Sequence, residues 1–435
     1  MKSLLIIAVG VSLATSVQGA DLLQLYRDAQ AYDTTLGSAR ATYRAGQERV
    51  PQAQAGLGPQ ANLSASATVN TVYRKSFGTS TGSNAAYTLA LSQPLYRKQN
   101  SILLDQAKTQ MGQFDAQLAS AEQDLILRVA QAYFDVLQAQ DNVSVSKSQK
   151  KAIAEQLAQA KRNFEVGTST ITDTHEAQAR YDLATAKEIS DENDLEVKRH
   201  ALEILIGKMP DPLASLREKV DLPLPQPNDM AQWVSAAETR NLQVVIAGVA
   251  ETISGQEIDR NRAAFTPTVD LIASLSDSGS SASAQVPLGG GARVLQMGVQ
   301  LAIPLWDAGL RNSRIRESVA NRDRARQDLE TTRRTVAQSA RQAFLGVTSG
   351  IAQVKALQQA LISSQSSLDS TKLGQEVGVR TGVDVLNAQQ QLFQARRDLL
   401  QARYTTILNQ LRLKSAAGNL SEADLLEINV NLTGR

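Results

Sequence analysis

The chain of 435 residues has no cysteine, two histidines, and aromatic residues at only 4%. Without cysteine there is no disulfide, no thiolate nucleophile, no Cys-type metal site and no cysteine to carry a lipid anchor. His175 and His200 fall on one predicted helix, far more than a turn apart, without metal-ligand spacing. So few aromatics do not suit large globular cores; Ala, Gln, Ser and Arg dominate instead, as in long helices with thin apolar seams. An excess of one charge is also missing: the net charge is +2, which gives no ground for a nucleic-acid partner. Arginines between 311 and 341 are interrupted by Glu317, Asp323, Asp328 and Glu330, and read as a charged helix face. Gly289-Gly290-Gly291 lacks the Lys-Ser/Thr and the strand–helix context of a phosphate loop. No nucleophile stands with a base, so the sequence contains no catalytic residue set and implies no enzyme, metal or cofactor.

Long apolar runs are scarce too. The one present follows Met1-Lys2, starts at Leu4 and reaches Val17, with Val17-Gln18-Gly19-Ala20 ahead of polar Asp21. A basic start, a short apolar stretch and a small-residue end describe a secretory signal peptide over residues 1–20, cleaved after Gly19 or Ala20. Nothing later is long enough for a membrane-spanning helix, so residence in a membrane requires a β-barrel.

What is present is a duplication. Pro59 pairs with Pro267 at an offset of 208 residues, and Pro94 with Pro304 at 210. Gly167, Asp173 and Gly207 pair with Gly378, Asp384 and Gly418, each at 211. The expected organisation is a first repeat over 21–209, a Pro-rich linker over 210–228, a second repeat over 229–419 and a C-terminal segment over 420–435. Each repeat opens with a helix pair, at 22–31 and 34–54 in the first, and at 230–238 and 242–264 in the second. Strands are expected at about 58–75, 86–97, 267–280 and 294–305, joined by Ser/Thr/Gly-rich loops at 76–85 and 276–291. They alternate with period two: Leu63, Ala65, Ala67 and Val69 interleave with Asn62, Ser64, Ser66, Thr68 and Asn70. Such strands suit a wall between lipid and a watery lumen, or a half-buried soluble sheet; alternation alone does not choose. Four strands cannot close a barrel within one chain.

The following helices are very long. From Lys98 to Val166 there is no proline, a length of about 100 Å at the helical rise. Leu104, Ala107, Met111, Phe114, Leu118, Ala121 and Leu125 form a seam that resumes after one shift at Val129, Ala132 and Val136. A second long helix is expected at 308–377, and each turns at a glycine, Gly167 or Gly378, into a shorter one over 172–205 or 383–416. Helices this long need neighbours to bury their seams.

The order of elements, the junctions Gln93-Pro94-Leu95-Tyr96 and Ile303-Pro304-Leu305-Trp306, and the turns Val166-Gly167-Thr168 and Val377-Gly378-Val379 resemble the TolC family over essentially the whole mature chain. The resemblance implies a mixed α/β membrane protein: a trimeric outer-membrane β-barrel, four strands per chain and twelve in all, continued by a periplasmic α-helical coiled-coil tunnel. It implies a duct in a Gram-negative outer membrane, giving drugs or secreted proteins passage from an inner-membrane transporter (ABC or resistance-nodulation-division type) through a periplasmic adaptor. The other class considered is a trimeric surface coiled-coil fibre or adhesin with a barrel anchor, which gives no reason for two copies of one strand–hairpin unit.

The resemblance also assigns residues. Asp384 matches an acidic ring at the pore constriction; the second acidic ring falls on Asn387, so a weaker constriction charge is expected. Arg380 matches an arginine linking neighbouring hairpins at the tip, its acceptors matching Thr172 and Asp173, with Gln156 a further partner. A tyrosine of that network corresponds to Gln375 and a glutamate to Lys372, so the closed-state links are preserved only in part. The alternative for Asp384 is a helix-start carboxylate favoured by the dipole, and for Arg380 a solvated turn arginine.

Overall fold

A computed structural model describes residues 20–75, 78–217, 220, 222–281 and 290–432. The expected signal peptide therefore lies, apart from Ala20, outside the described residues. The chain runs α1 (Leu22–Tyr32), α2 (Thr34–Gln47), α3 (Arg49–Ala55), β1 (Gln60–Arg74), β2 (Gly78–Tyr96), α4 (Lys98–Glu165) and α5 (Ile171–Ile206). It continues α6 (Met230–Arg240), α7 (Leu242–Ala263), β3 (Thr268–Ser280), β4 (Gly290–Ala302), α8 (Leu310–Glu376), α9 (Gly382–Ala416) and α10 (Glu422–Asn429). No helix among the described residues is long and apolar enough to cross a membrane. The chain divides into a helical unit (Met1–Ser38, Ala119–Asn241, Arg334–Arg435) and a strand unit (Ala39–Leu118, Leu242–Arg333).

In the strand unit the four strands form one antiparallel sheet in the order β1-β2-β3-β4. The register aligns Leu63 with Leu89, Leu89 with Leu275 and Leu275 with Leu295, a row of four leucines on one face. All four are exposed, Leu63 by 74%. The opposite face is polar: Thr88 Oγ1 and Ser276 Oγ lie 3.1 Å apart on paired residues. β2 starts at Gly78, well before the expected 86, because residues 78–85 pair with 67–74, with Thr71 and Thr81 hydroxyls 3.1 Å apart. Residues 276–280 belong to β3, as the strand expected to 280 has it, and not to the loop expected from 276. β4 ends at Ala302, ahead of Pro304, which has no N–H for a ladder. The helix expected over 34–54 is two, since Pro51 likewise cannot donate to the carbonyl of Gln47. At the first junction Pro94 marks a slip in the β2–β3 register, and Arg97 forks onto Asp270 at 2.7 and 2.8 Å.

In the helical unit small contact groups recur along the hairpins. Phe344, Val347 and Ile351 of α8 pack with Leu413 of α9; further along Val354 meets Leu399 and Ala402, then Leu368 meets Val385 and Ala388. The Phe134 ring meets Tyr133 edge to face and Tyr404 at a tilt, with ring centres 5.5 and 5.6 Å apart, and the Tyr404 hydroxyl donates to Asp141 at 2.6 Å. The end of the chain, expected only as a segment, holds α10, at whose start the Ser421 N–H donates to Asp424 Oδ2 at 2.7 Å; Lys414 donates to Asp424 Oδ1 at 2.6 Å.

Asp33, 8% exposed, ties the start of α2 to α4: it accepts from the Leu36 N–H at 2.7 Å and from both terminal nitrogens of Arg128 at 2.8 and 3.1 Å. The Arg128 guanidinium holds its carboxyl below the ordinary range, so this link contributes at neutral pH and is lost as pH falls through the lowered value. Asp33→Ala is expected to cost about 2 kcal/mol of stability, since Arg128 keeps Asp124 as a partner. Thermal unfolding of the purified protein in detergent checks this: the loss should be present at pH 7 and shrink on acidification.

Candidate functional site

The two hairpin turns of the helical unit are built alike. After α4, Gly167 takes φ +77°, and after α8, Gly378 takes φ +78°, a left-handed conformation that costs glycine no steric penalty. Each turn then starts a helix with the same box. Thr170 Oγ1 accepts from the Asp173 N–H at 3.2 Å while Asp173 Oδ2 accepts from the Thr170 N–H at 3.0 Å. Thr381 and Asp384 repeat this at 3.2 and 2.9 Å, and the Thr381 hydroxyl also donates to Asp384 Oδ2 at 2.9 Å.

These bonds fix the chemistry of Asp384. The backbone N–H of Thr381, its hydroxyl and the Arg380 charge hold the carboxyl below its ordinary value of 3.8. Because the folded value lies below the unfolded one, the box contributes fully above the ordinary value and loses its contribution as pH falls through the lowered one. Asp384 Oδ1 takes no hydrogen bond from the described residues.

A cleft of about 370 Å³ between the turns is lined by Gln156, Asp173, Gln375, Gly378 and Arg380. Five of the expected tip residues are thus brought together. Thr172, Gly167, Asp384 and Asn387 do not line it. Arg380 packs its side-chain carbons beside Gly374 and makes no side-chain hydrogen bond to Thr172 or Asp173 of its own chain.

One link here has no counterpart in the sequence reading. Arg180 of α5 donates through Nη1 to Gln390 Oε1 at 2.7 Å and through Nη2 to Asn387 Oδ1 at 3.2 Å, both on α9, and through Nε to Glu176 at 3.2 Å. It stands between Ala177 and Ala184, which pack with Ile153, Leu157 and Leu386. The only sequence signal is Glu176 four residues before Arg180 on a helix; that α9 lies opposite is set by packing.

The outer membrane efflux protein family matches residues 25–208 and again 233–419. The outer membrane protein TolC of Vibrio cholerae is 34% identical over 439 residues, covering 99% of both chains. The proteases secretion protein PrtF of Dickeya chrysanthemi is 29% identical, covering 95% of this chain and 91% of its own. Among solved structures, the CmeC outer membrane channel of Campylobacter jejuni superposes with a TM-score of 0.77 at 17% identity, over 95% of this chain and 90% of that one. The fold class is that of three chains completing a twelve-stranded outer-membrane barrel continued by a periplasmic helical tunnel, with four strands from each chain. Two family matches in one chain, full-length identity above 30% and the shared fold have one reading: the chain belongs to the outer membrane efflux protein family and is an outer-membrane channel for efflux and secretion.

Proposed function

We propose that the chain works as a homotrimeric duct that is closed at the hairpin turns at rest and opened by a periplasmic adaptor and an inner-membrane transporter of the ABC or resistance-nodulation-division type. The apolar face of the sheet meets outer-membrane lipid. The role is passive transport without catalysis. Gln156, Thr172, Asp173, Gln375 and Arg380 form the tip links, and Asp384 with Asn387 lines the constriction. The observation that carries this is the pair of like-built turns around one cleft, with Arg380 in its wall and making no side-chain hydrogen bond to the described residues of its own chain. A guanidinium in that position is available to acceptors on a neighbouring chain. The name of the related PrtF, a proteases secretion protein, supports polypeptide cargo besides small molecules.

We take the organisation to be a removed leader, two repeats over 21–209 and 229–419, the linker 210–228 and the segment 420–435. Ala20 belongs to the mature chain: its N–H donates to the Pro212 carbonyl at 3.0 Å, its own carbonyl accepts from Ala214 at 3.2 Å, and it is 5% exposed. Cleavage after Gly19 keeps these bonds and leaves Val17 and Gly19 as the recognised residues. N-terminal sequencing of the mature protein should begin with Ala20; a start at Asp21 would overturn this assignment.

An exposed charged pair contributes about 0.2–1 kcal/mol, whereas moving a closed-to-open ratio from 1:99 to 99:1 takes about 5.5 kcal/mol. A few such links in three copies keep a lone duct mostly shut and still yield to a docking partner. Arg380→Ser should therefore raise resting conductance in planar bilayers severalfold without lowering trimer yield; wild-type conductance would assign the gate to other contacts. Asp384→Ala should reduce cation preference. In the unmodified channel that preference should persist as pH falls through 3.8 and disappear only below it, because the carboxyl titrates low. Reversal potentials across a salt gradient read both effects.

A further inference from the structure

We infer that Arg180 sets the charge of the tunnel entrance, offsetting part of the negative charge there and so weakening its cation preference. The inference rests on the reading that Asp384 and Asn387 line the constriction. At the level where a second acidic ring would stand, this chain has an exposed amide, Asn387, whose oxygen accepts from a guanidinium. The amide of Gln390, the next residue on that face, accepts from the same group. Neither acceptor carries charge, so the cation is oriented by α9 without being neutralised by it. Glu176, 40% exposed and on the same helix, pairs with Arg180 at 3.2 Å and is the only carboxylate among the described residues bonded to it.

Two features argue that the position of the cation is built. Arg180 is 31% exposed and flanked at three and four residues by Ala177 and Ala184, whose small side chains let α9 approach. Its fork then spans Asn387 and Gln390, one turn apart on α9, which a lysine could not bridge in two directions. Glu176 already balances one charge on Arg180, so an aspartate at 387 would set two carboxylates against one guanidinium; asparagine keeps the geometry and leaves Glu176 as the single counter-charge. Along α9 the entrance therefore presents Asp384 and, one turn on, a guanidinium. Three copies place three guanidinium groups, each paired with Glu176, close to three Asp384 carboxylates, and each cation offsets one negative charge that would otherwise act on passing ions.

The test is the reversal potential of the full-length channel in planar bilayers across a potassium chloride gradient, for the wild type, Arg180→Gln, Arg180→Lys and Asp384→Ala. The wild type should be weakly selective. Arg180→Gln should raise the potassium-to-chloride permeability ratio by about threefold, and Arg180→Lys should keep the wild-type ratio, separating charge from a purely structural link. A shift in Asp384→Ala with none in Arg180→Gln overturns the role of Arg180 while the constriction reading stands. No shift in either overturns both. Should Arg180→Gln fail to assemble, Glu176→Gln serves instead. With its counter-charge removed, Arg180 should lower the potassium-to-chloride ratio by about twofold, and an unchanged ratio overturns the proposal.

Discussion

The strand unit depends on hydrogen bonds that one chain cannot complete. Among the described residues β1 pairs only with β2 and β4 only with β3, so two edges of backbone donors and acceptors remain open. In water such edges invite aggregation, and in lipid each open group costs several kcal/mol. The exposed leucine row makes the same demand from the side chains: an apolar face of this kind is stable only against hydrocarbon. Closure by further chains within a membrane satisfies both at once, and the repeats, the thin seams and the membrane location follow from that requirement.

The helical elements and the duplication were legible because each leaves a periodic trace. A seam stepping by three and four and a glycine at each hairpin turn are local signals, and α4, α5, α8 and α9 fall within one or two residues of where these signals put them. The start of β2 was not legible. Residues 78–85 are Ser/Thr/Gly-rich and look like loop, yet they pair with 67–74 because the partner strand lies directly opposite. α10 was missed for a similar reason: a capping box at Ser421 is a weak signal in a short segment, and Lys414 confirms it only in space. Arg180 shows the limit most clearly, since its acceptors lie more than two hundred residues away in the chain.

At the turns, the helix-start role of Asp384 and its assignment to the constriction do not compete. One oxygen, Oδ2, takes the N–H and hydroxyl of Thr381 and closes the cap; the other takes nothing from the described residues. The cap keeps the carboxyl ionised and pointed by a rigid helix start, which is what a charge acting on passing ions needs. Asp173, boxed with Thr170 in the same way, enters the cleft wall instead, so one local motif serves two surroundings.

The sheet order has a consequence for how the barrel is made. β2 belongs to the first repeat and β3 to the second, so their pairing joins the two copies of an ancestral unit within one polypeptide. The seam between β4 of one chain and β1 of the next is the counterpart of that pairing without the covalent connection. The inner seam forms at the high effective concentration of a tethered segment, at a rate indifferent to how much protein is present. The outer seams form only on encounter and slow as the protein is diluted. Fusion of the repeats into one chain thus turned half of an assembly problem into a folding problem, and left three joints per barrel at which supply of chains governs the pace.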